Sequence, residues 1–187
     1  MPKPKININW ATQKAVSYSQ YSIYKQCPYQ WYLTYIKKES SFKPSIYLVY
    51  GTAMHETIQT YLQTMYDKSA KAADEIDMNK LLEERLVATY KESISENNNE
   101  HFSTKEELKE FLADGQTTLD WFKKNRGKYF SKKNTELVGI EIPILQPVIE
   151  DIPNVLMNGS IDFIIYDKVL EKYTIYDIKT STKGWTD

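Results

Sequence analysis

Residues 158–182 read NGSIDFIIYDKVLEKYTIYDIKTST. Two short runs, Ser160–Tyr166 and Tyr173–Thr180, flank the polar hexapeptide Asp167–Lys172. Both are rich in Ile, Tyr, Phe and Thr, side chains that suit a pleated, half-buried surface, so the stretch predicts a β-hairpin. The simplest register centres the loop between Val169 and Leu170. Tyr166 then faces Tyr173, Ile164 faces Ile175, and Asp162 falls opposite Asp177. Because strand side chains alternate between faces, Lys179 projects on the side that carries both aspartates. Carboxylates roughly 5 Å apart across a strand pair repel each other. A divalent cation is the natural compensation, with Lys179 completing the charge balance. Such a site is suited to metal-assisted hydrolysis.

Immediately upstream, from Glu136, the apolar period is again two. Val138, Ile140, Ile142 and Ile144 are expected on one face of a strand, and Glu141 on the other with Gly139 and Pro143. Pro143, Pro147 and Pro153 predict an edge strand, or one soon broken. Before this point the period is helical. Met54, Ile58, Tyr61, Leu62 and Met65 form a stripe at i, i+4, i+7, i+8 and i+11, on a helix from about Gly51 to Lys68 with His55 beside the stripe near its start. A second helix covers about 79–95 through Leu81, Leu82, Leu86, Val87 and Tyr90. Ser103-Thr104-Lys105-Glu106-Glu107 opens a third with an acidic first turn, running through Phe111, Leu119 and Phe122 despite Gly115. Nearer the N-terminus, Ser17 or Ser19 caps a helix to about Gln26, and Tyr18, Tyr21, Tyr24 and Cys27 predict one buried face. Pro28 suits the first position of a further helix, Pro28–Ile36. Residues 1–16 read as an irregular leader. Helices first and a short sheet afterwards give an α+β fold, or α/β if further helices follow, in a single domain with a helical part over 17–130 and a sheet over 136–182.

Bulk properties narrow the function classes. A length of 187 residues, 41% hydrophobic and 26% charged, allows one domain with a sizeable core. No run approaches the roughly 18 apolar residues of a membrane span, and the N-terminus is not a signal peptide. The single cysteine, Cys27, excludes a disulfide framework and fits a reducing cytosol. No glycine-rich phosphate loop is present, so no nucleotide-driven step is expected. The net charge of −1 hides an uneven distribution. Residues 1–50 carry seven lysines against Glu39 alone, and Lys123, Lys124, Arg126, Lys128, Lys132 and Lys133 form a second basic cluster. Each is either a solvated face or a surface for a polyanion. Trp121, Phe122, Tyr129 and Phe130 interleave with the second cluster, either as core or as stacking groups for a single strand.

Taken together, Gly159-x-x-Asp162 and Asp177-x-Lys179-Thr180, with Glu141 on the preceding strand, resemble the core of the PD-(D/E)XK nuclease superfamily. Two upstream motifs are similar to its RecB/AddB-like branch: Ser17-x-Ser19-x-x-x-x-Tyr24-x-x-Cys27-Pro28-x-x-Trp31 and Gly51-Thr52-Ala53-Met54-His55. The resemblance implies a restriction-endonuclease-like core in which a short mixed sheet carries the catalytic hairpin. It implies a divalent cation, Mg²⁺ or Mn²⁺, held by His55, Asp162, Asp177 and the Ile178 carbonyl. Carboxylate oxygens suit both ions, and an imidazole tilts the choice toward Mn²⁺. Lys179 would orient the attacking water or stabilise developing charge. Glu141 would be a helper ligand or a structural carboxylate, and Gly159 would allow close backbone approach. Some members of the branch hold an iron–sulfur cluster on four cysteines; Cys27 alone cannot, so no cluster is expected.

The family pattern continues into a helix bearing Gln-x-x-x-Tyr, whereas this sequence stops at Asp187, soon after Gly184-Trp185. A domain incomplete at its C-terminus is therefore expected. The implied activity is exonuclease-like hydrolysis of DNA, single-stranded or at duplex ends, in replication, recombination or repair. A helicase or recombination protein is the implied partner, and the cytosol of a bacterial or phage-infected cell the implied location. The competing expectation is a non-catalytic nucleic-acid-binding or assembly module that keeps the nuclease scaffold.

Overall fold

The computed structural model describes residues 14–39, 43–130, 133–147 and 154–180. The expectations for residues 1–13, Lys132, Pro153, Gly184 and Trp185 lie outside the described residues. The elements are β1 (Lys14–Ser17), α1 (Tyr18–Gln26), α2 (Pro28–Trp31), a π-helix (Tyr32–Lys37), α3 (Ile46–Asp67), α4 (Ala70–Asp74), α5 (Met78–Glu96), α6 (Lys105–Asn125), β2 (Thr135–Pro147), β3 (Val155–Asp167) and β4 (Lys172–Tyr176). Helices therefore precede most of a four-stranded sheet, as an α+β fold requires. Strand β3 pairs with all three others, in the order β1-β3-β2 with β4 also on β3. The β1–β3 ladder is parallel, Lys14 opposite Val155 through Ser17 opposite Asn158. The four-residue link from β3 to β4 permits only an antiparallel hairpin, so the sheet is mixed.

Chain contacts divide the protein into two compact units. One comprises Met1–Phe42, Gly139–Ile164 and Ile175–Asp177; the other comprises Lys43–Val138, Ile165–Thr174 and Ile178–Asp187.

The second unit is built on α3. The predicted stripe is buried in full: Met54, Ile58, Tyr61, Leu62 and Met65. Ile46, Val49 and Tyr50 extend it upstream, so the helix begins five residues before Gly51. Glycine there reads as a breaker, but burial of this added turn outweighs the roughly 1 kcal/mol that glycine costs in a helix. Thr57 is fully buried and donates its Oγ1 proton to the Ala53 carbonyl at 2.7 Å, so its hydroxyl is satisfied within the helix. Helix α5 adds Leu82, Leu86 and Tyr90, while Val87, expected on the same face, is exposed. Helix α6 opens with a capping box between Thr104 and Glu107. Its Gly115 is dictated by packing, since a Cβ there would lie 2.5 Å from Leu82 Cδ2. Asp74, closing α4, accepts from the Tyr61 hydroxyl at 2.7 Å and from Arg126 at 2.5 Å. Lys123 Nζ donates to the Asp74 carbonyl at 2.7 Å.

The first unit corrects three expectations. Residues 14–17 form a strand where an irregular leader was expected. Ser17 does cap α1, accepting from the Gln20 N–H at 3.2 Å. Tyr18, Tyr21 and Tyr24, predicted to be buried, are 70%, 47% and 51% exposed. A spacing of three drifts about 60° per step around a helix, so this row spreads over about 120° of α1 and does not by itself predict burial. Finally, Pro28 does begin a helix, but after Trp31 the backbone continues as a π-helix to Lys37 and ends at Lys38 in the left-handed region, φ 55°.

Candidate metal centre

In the first unit the site begins with β2. A regular strand would put Gly139 and Ile142 on opposite faces. Instead, a Cβ on Gly139 would sit 3.1 Å from Ile142 Cγ1, so the alternation is broken between them. The break is at Glu141, whose φ is 51°. One residue in the left-handed region within a strand is a bulge, which bends the strand and re-aims the side chain. This explains why the expected aliphatic face fails: Val138 and Ile144 are exposed. It also turns the Glu141 carboxylate to where a carboxylate oxygen of Asp162, on β3, lies within 4.8 Å. Ser160 Oγ donates to Glu141 Oε2 at 3.0 Å.

The hairpin follows the predicted register. The rings of Tyr166 and Tyr173 lie 4.6 Å apart, and those of Phe163 and Tyr176 stack at 4.9 Å and 6°. Each pair is symmetric about the Val169–Leu170 bond. The loop is held by Asp167 Oδ1, which accepts from the Val169 and Leu170 N–H groups at 2.9 and 3.0 Å. Phe163 is buried and stacked on Tyr176, so Asp162 belongs to the opposite face. Asp177 is the residue after β4 and continues the register toward Asp162. It is exposed, as is Lys179. Among the described residues, Asp177 does not complete a three-carboxylate group with Glu141 and Asp162 at that distance. Sequence spacing put Asp162 and Asp177 first; the bulge brings Glu141 to Asp162 as well. Burial raises the Tyr176 hydroxyl above the ordinary tyrosine range. A Cβ on Gly159 would meet nothing within 4 Å, so no neighbouring residue demands glycine there.

In the second unit, α3 explains the Gly51–His55 motif. Gly51 and His55 are four residues apart and share a helix face. A Cβ on Gly51 would lie 3.2 Å from Thr180 Oγ1, so the missing side chain allows close approach to the Asp177-x-Lys179-Thr180 segment. One turn later, His55 Nε2 lies 2.7 Å from the Ile178 carbonyl oxygen. A carbonyl only accepts, so without a metal Nε2 carries the proton. Cation binding would require Nε2 to lose that proton and Nδ1 to keep one. The donor set of carboxylates, carbonyl and imidazole fits Mg²⁺ or Mn²⁺.

The basic cluster of the second unit is divided. Lys123 and Arg126 are committed to Asp74, and Arg126 also lies over the Tyr61 ring at 5.8 Å. Lys124, Lys128 and Lys133 are exposed, Lys128 donating to Asn125 Oδ1 at 2.9 Å. Phe122 and Phe130 are core, whereas Trp121 and Tyr129 are exposed. Sequence reasoning missed the roles of Ser160 and Thr180. The only signal for Thr180 was its place after Lys179, and Ser160 had none. Among the described residues, no helix is long and apolar enough to cross a membrane.

No curated protein matches the sequence significantly. The profile described as the PD-(D/E)XK nuclease superfamily matches residues 15–186, from β1 through α3 to the Asp177-x-Lys179 segment and beyond. The chain belongs to the PD-(D/E)XK nuclease superfamily.

Proposed function

We propose that this protein is a divalent-metal-dependent deoxyribonuclease of the RecB/AddB-like branch, hydrolysing DNA in an exonuclease-like mode. The observation that carries the reading is the 2.7 Å approach of His55 Nε2 to the Ile178 carbonyl, within a chain of this superfamily. It supports assigning the helical histidine to the same site as the Asp177-x-Lys179 segment. His55, Asp162, Asp177 and the Ile178 carbonyl would hold the cation, with Glu141 as helper ligand. Bound there, the cation would offset phosphate charge and ease deprotonation of water. Lys179 would place the attacking water or balance charge developing on the phosphate. Gly159, with open space where a side chain would be, leaves room for the DNA backbone. Lys124, Lys128 and Lys133 are the cations of the second cluster best placed to meet phosphates, because Lys123 and Arg126 already serve Asp74. A role in replication, recombination or repair beside a helicase, in the cytosol, follows from the branch resemblance.

The test is cleavage of single-stranded and duplex linear DNA by the full chain, in Mg²⁺ or Mn²⁺ and in EDTA. Cleavage should require the metal and fall at least about 100-fold in Asp177→Ala and Lys179→Ala. Equal cleavage by the variants would sink the reading. So would DNA binding without any metal-dependent cleavage, the behaviour of a scaffold module.

A further inference from the structure

The tyrosines that fail to be core in the first unit are its least expected surface. Tyr18, Tyr21 and Tyr24 on α1 and Tyr29 and Tyr32 on the following helices are all exposed, from 39% to 70%. Four of them are arranged in pairs. The rings of Tyr18 and Tyr21 lie 6.4 Å apart, and those of Tyr29 and Tyr32 also lie 6.4 Å apart at an interplanar angle of 24°. Tyr24 packs edge-on against Trp31 at 5.6 Å.

Charge accompanies the rings. Lys25 falls between Tyr18 and Tyr21 on the helical wheel, at i+7 and i+4 from them. Lys37 Nζ stands 6.0 Å from the centre of the Tyr32 ring. Residues 14–39 hold four lysines and one acidic residue, Glu39. A face that exposes aromatic rings costs solvation unless something covers it. Its positive balance argues against an apolar or basic protein surface and for a polyanion with flat apolar parts. Single-stranded nucleic acid has that chemistry: phosphates for the lysines and unpaired bases for the rings. In a duplex the bases are already stacked on one another, so the rings gain nothing from it.

We infer that the exposed tyrosine face of α1, α2 and the π-helix is a stacking platform for single-stranded DNA. This rests on the nuclease reading for its biological sense, since it names the form of DNA delivered to the site.

The experiment measures binding of a fluorescent oligo(dT) strand and of a duplex of equal length to the full chain. It is done in EDTA, where no cleavage occurs. Base stacking on one aromatic side chain is worth roughly 5- to 150-fold in affinity. Tyr18→Ala/Tyr21→Ala and Tyr29→Ala/Tyr32→Ala should each weaken oligo(dT) binding by about tenfold or more, and the corresponding Tyr→Phe pairs by less than about twofold. Lys25→Gln should flatten the salt dependence by about 0.7 in log–log slope. The inference is overturned if the wild type does not bind oligo(dT), or if the alanine pairs bind it as the wild type does. It is overturned equally if the phenylalanine pairs lose as much as the alanine pairs, or if the face instead drives self-association. Failure of the nuclease reading gives a different pattern: no cleavage with Mn²⁺, while oligo(dT) binding in EDTA still depends on the tyrosines.

Discussion

Gly51→Ala separates stability from activity at the centre of the second unit. Gly51 lies inside α3, where replacing glycine by alanine favours the helix by about 0.8–1.0 kcal/mol. In a domain of this size that raises Tm by about 2–4 °C. The new methyl, however, would lie 3.2 Å from Thr180 Oγ1, closer than an ordinary carbon–oxygen contact by a few tenths of an ångström. Thr180 is part-exposed and can yield, so little of the helix gain is lost. Yielding moves the segment that carries Lys179 and the Ile178 carbonyl. Misplacement by about 1 Å can cost about 100-fold in rate, so a few tenths of an ångström should cost about two- to fivefold. The assay pairs thermal melting with the rate of Mn²⁺-dependent DNA cleavage. The expected result is a higher Tm with a slower rate. Unchanged cleavage, or a fall in Tm and rate together, would refute the reasoning.

Three further outcomes are expected. Glu141→Gly removes a left-handed strain of about 1–2 kcal/mol, partly offset by glycine's unfolded-state entropy of about 0.5–1 kcal/mol, so melting should hold or rise slightly while Mn²⁺ affinity falls. A melting loss of several degrees would show that the bulge is not strained. Asp74→Ala leaves the buried Tyr61 hydroxyl and Arg126 Nη2 without the carboxylate that accepts from them and, with both ions part-exposed, should cost about 1–3 kcal/mol in denaturant unfolding. Burial, then the bond to Asp74, holds the Tyr61 hydroxyl well above the ordinary 10.0. Its contribution is thus complete below pH 10 and lost as pH rises further, and ultraviolet titration should show it ionising at lower pH in Asp74→Ala. The Thr104 N–H and the Ser103 hydroxyl hold Glu107 below its ordinary 4.5, so the cap contributes above that pH and is lost as pH falls below it. Glu107→Gln should therefore shrink the Tm difference between pH 7 and pH 3; an unchanged difference would rule the cap out as a source.

How legible these features were in the sequence follows from their physics. The α3 stripe was plain because five large apolar residues recur at the helical period over three turns. Its first turn was hidden by Gly51, whose role is set by Thr180, more than a hundred residues away. The hairpin register was readable because aromatic residues fall symmetrically about one peptide bond. The bulge at Glu141 was not, since counting alternation assumes that no residue is extra. Spacing also gave the Tyr18–Tyr24 row without saying which way it turns, and nothing local encodes a π-helix at Tyr32–Lys37. For the candidate site, motif order named the residues to consider. The pairing of Glu141 with Asp162 and of His55 with Ile178 required the fold.

The proposed activity requires one cation held by these residues, and calorimetric titration of Mn²⁺ into the full chain tests that most directly. The wild type should bind Mn²⁺ at a single site, and Asp162→Ala should weaken that binding by at least about tenfold with the same far-ultraviolet spectrum. A wild type that binds no Mn²⁺, or an Asp162→Ala protein that binds it equally well, would contradict the account.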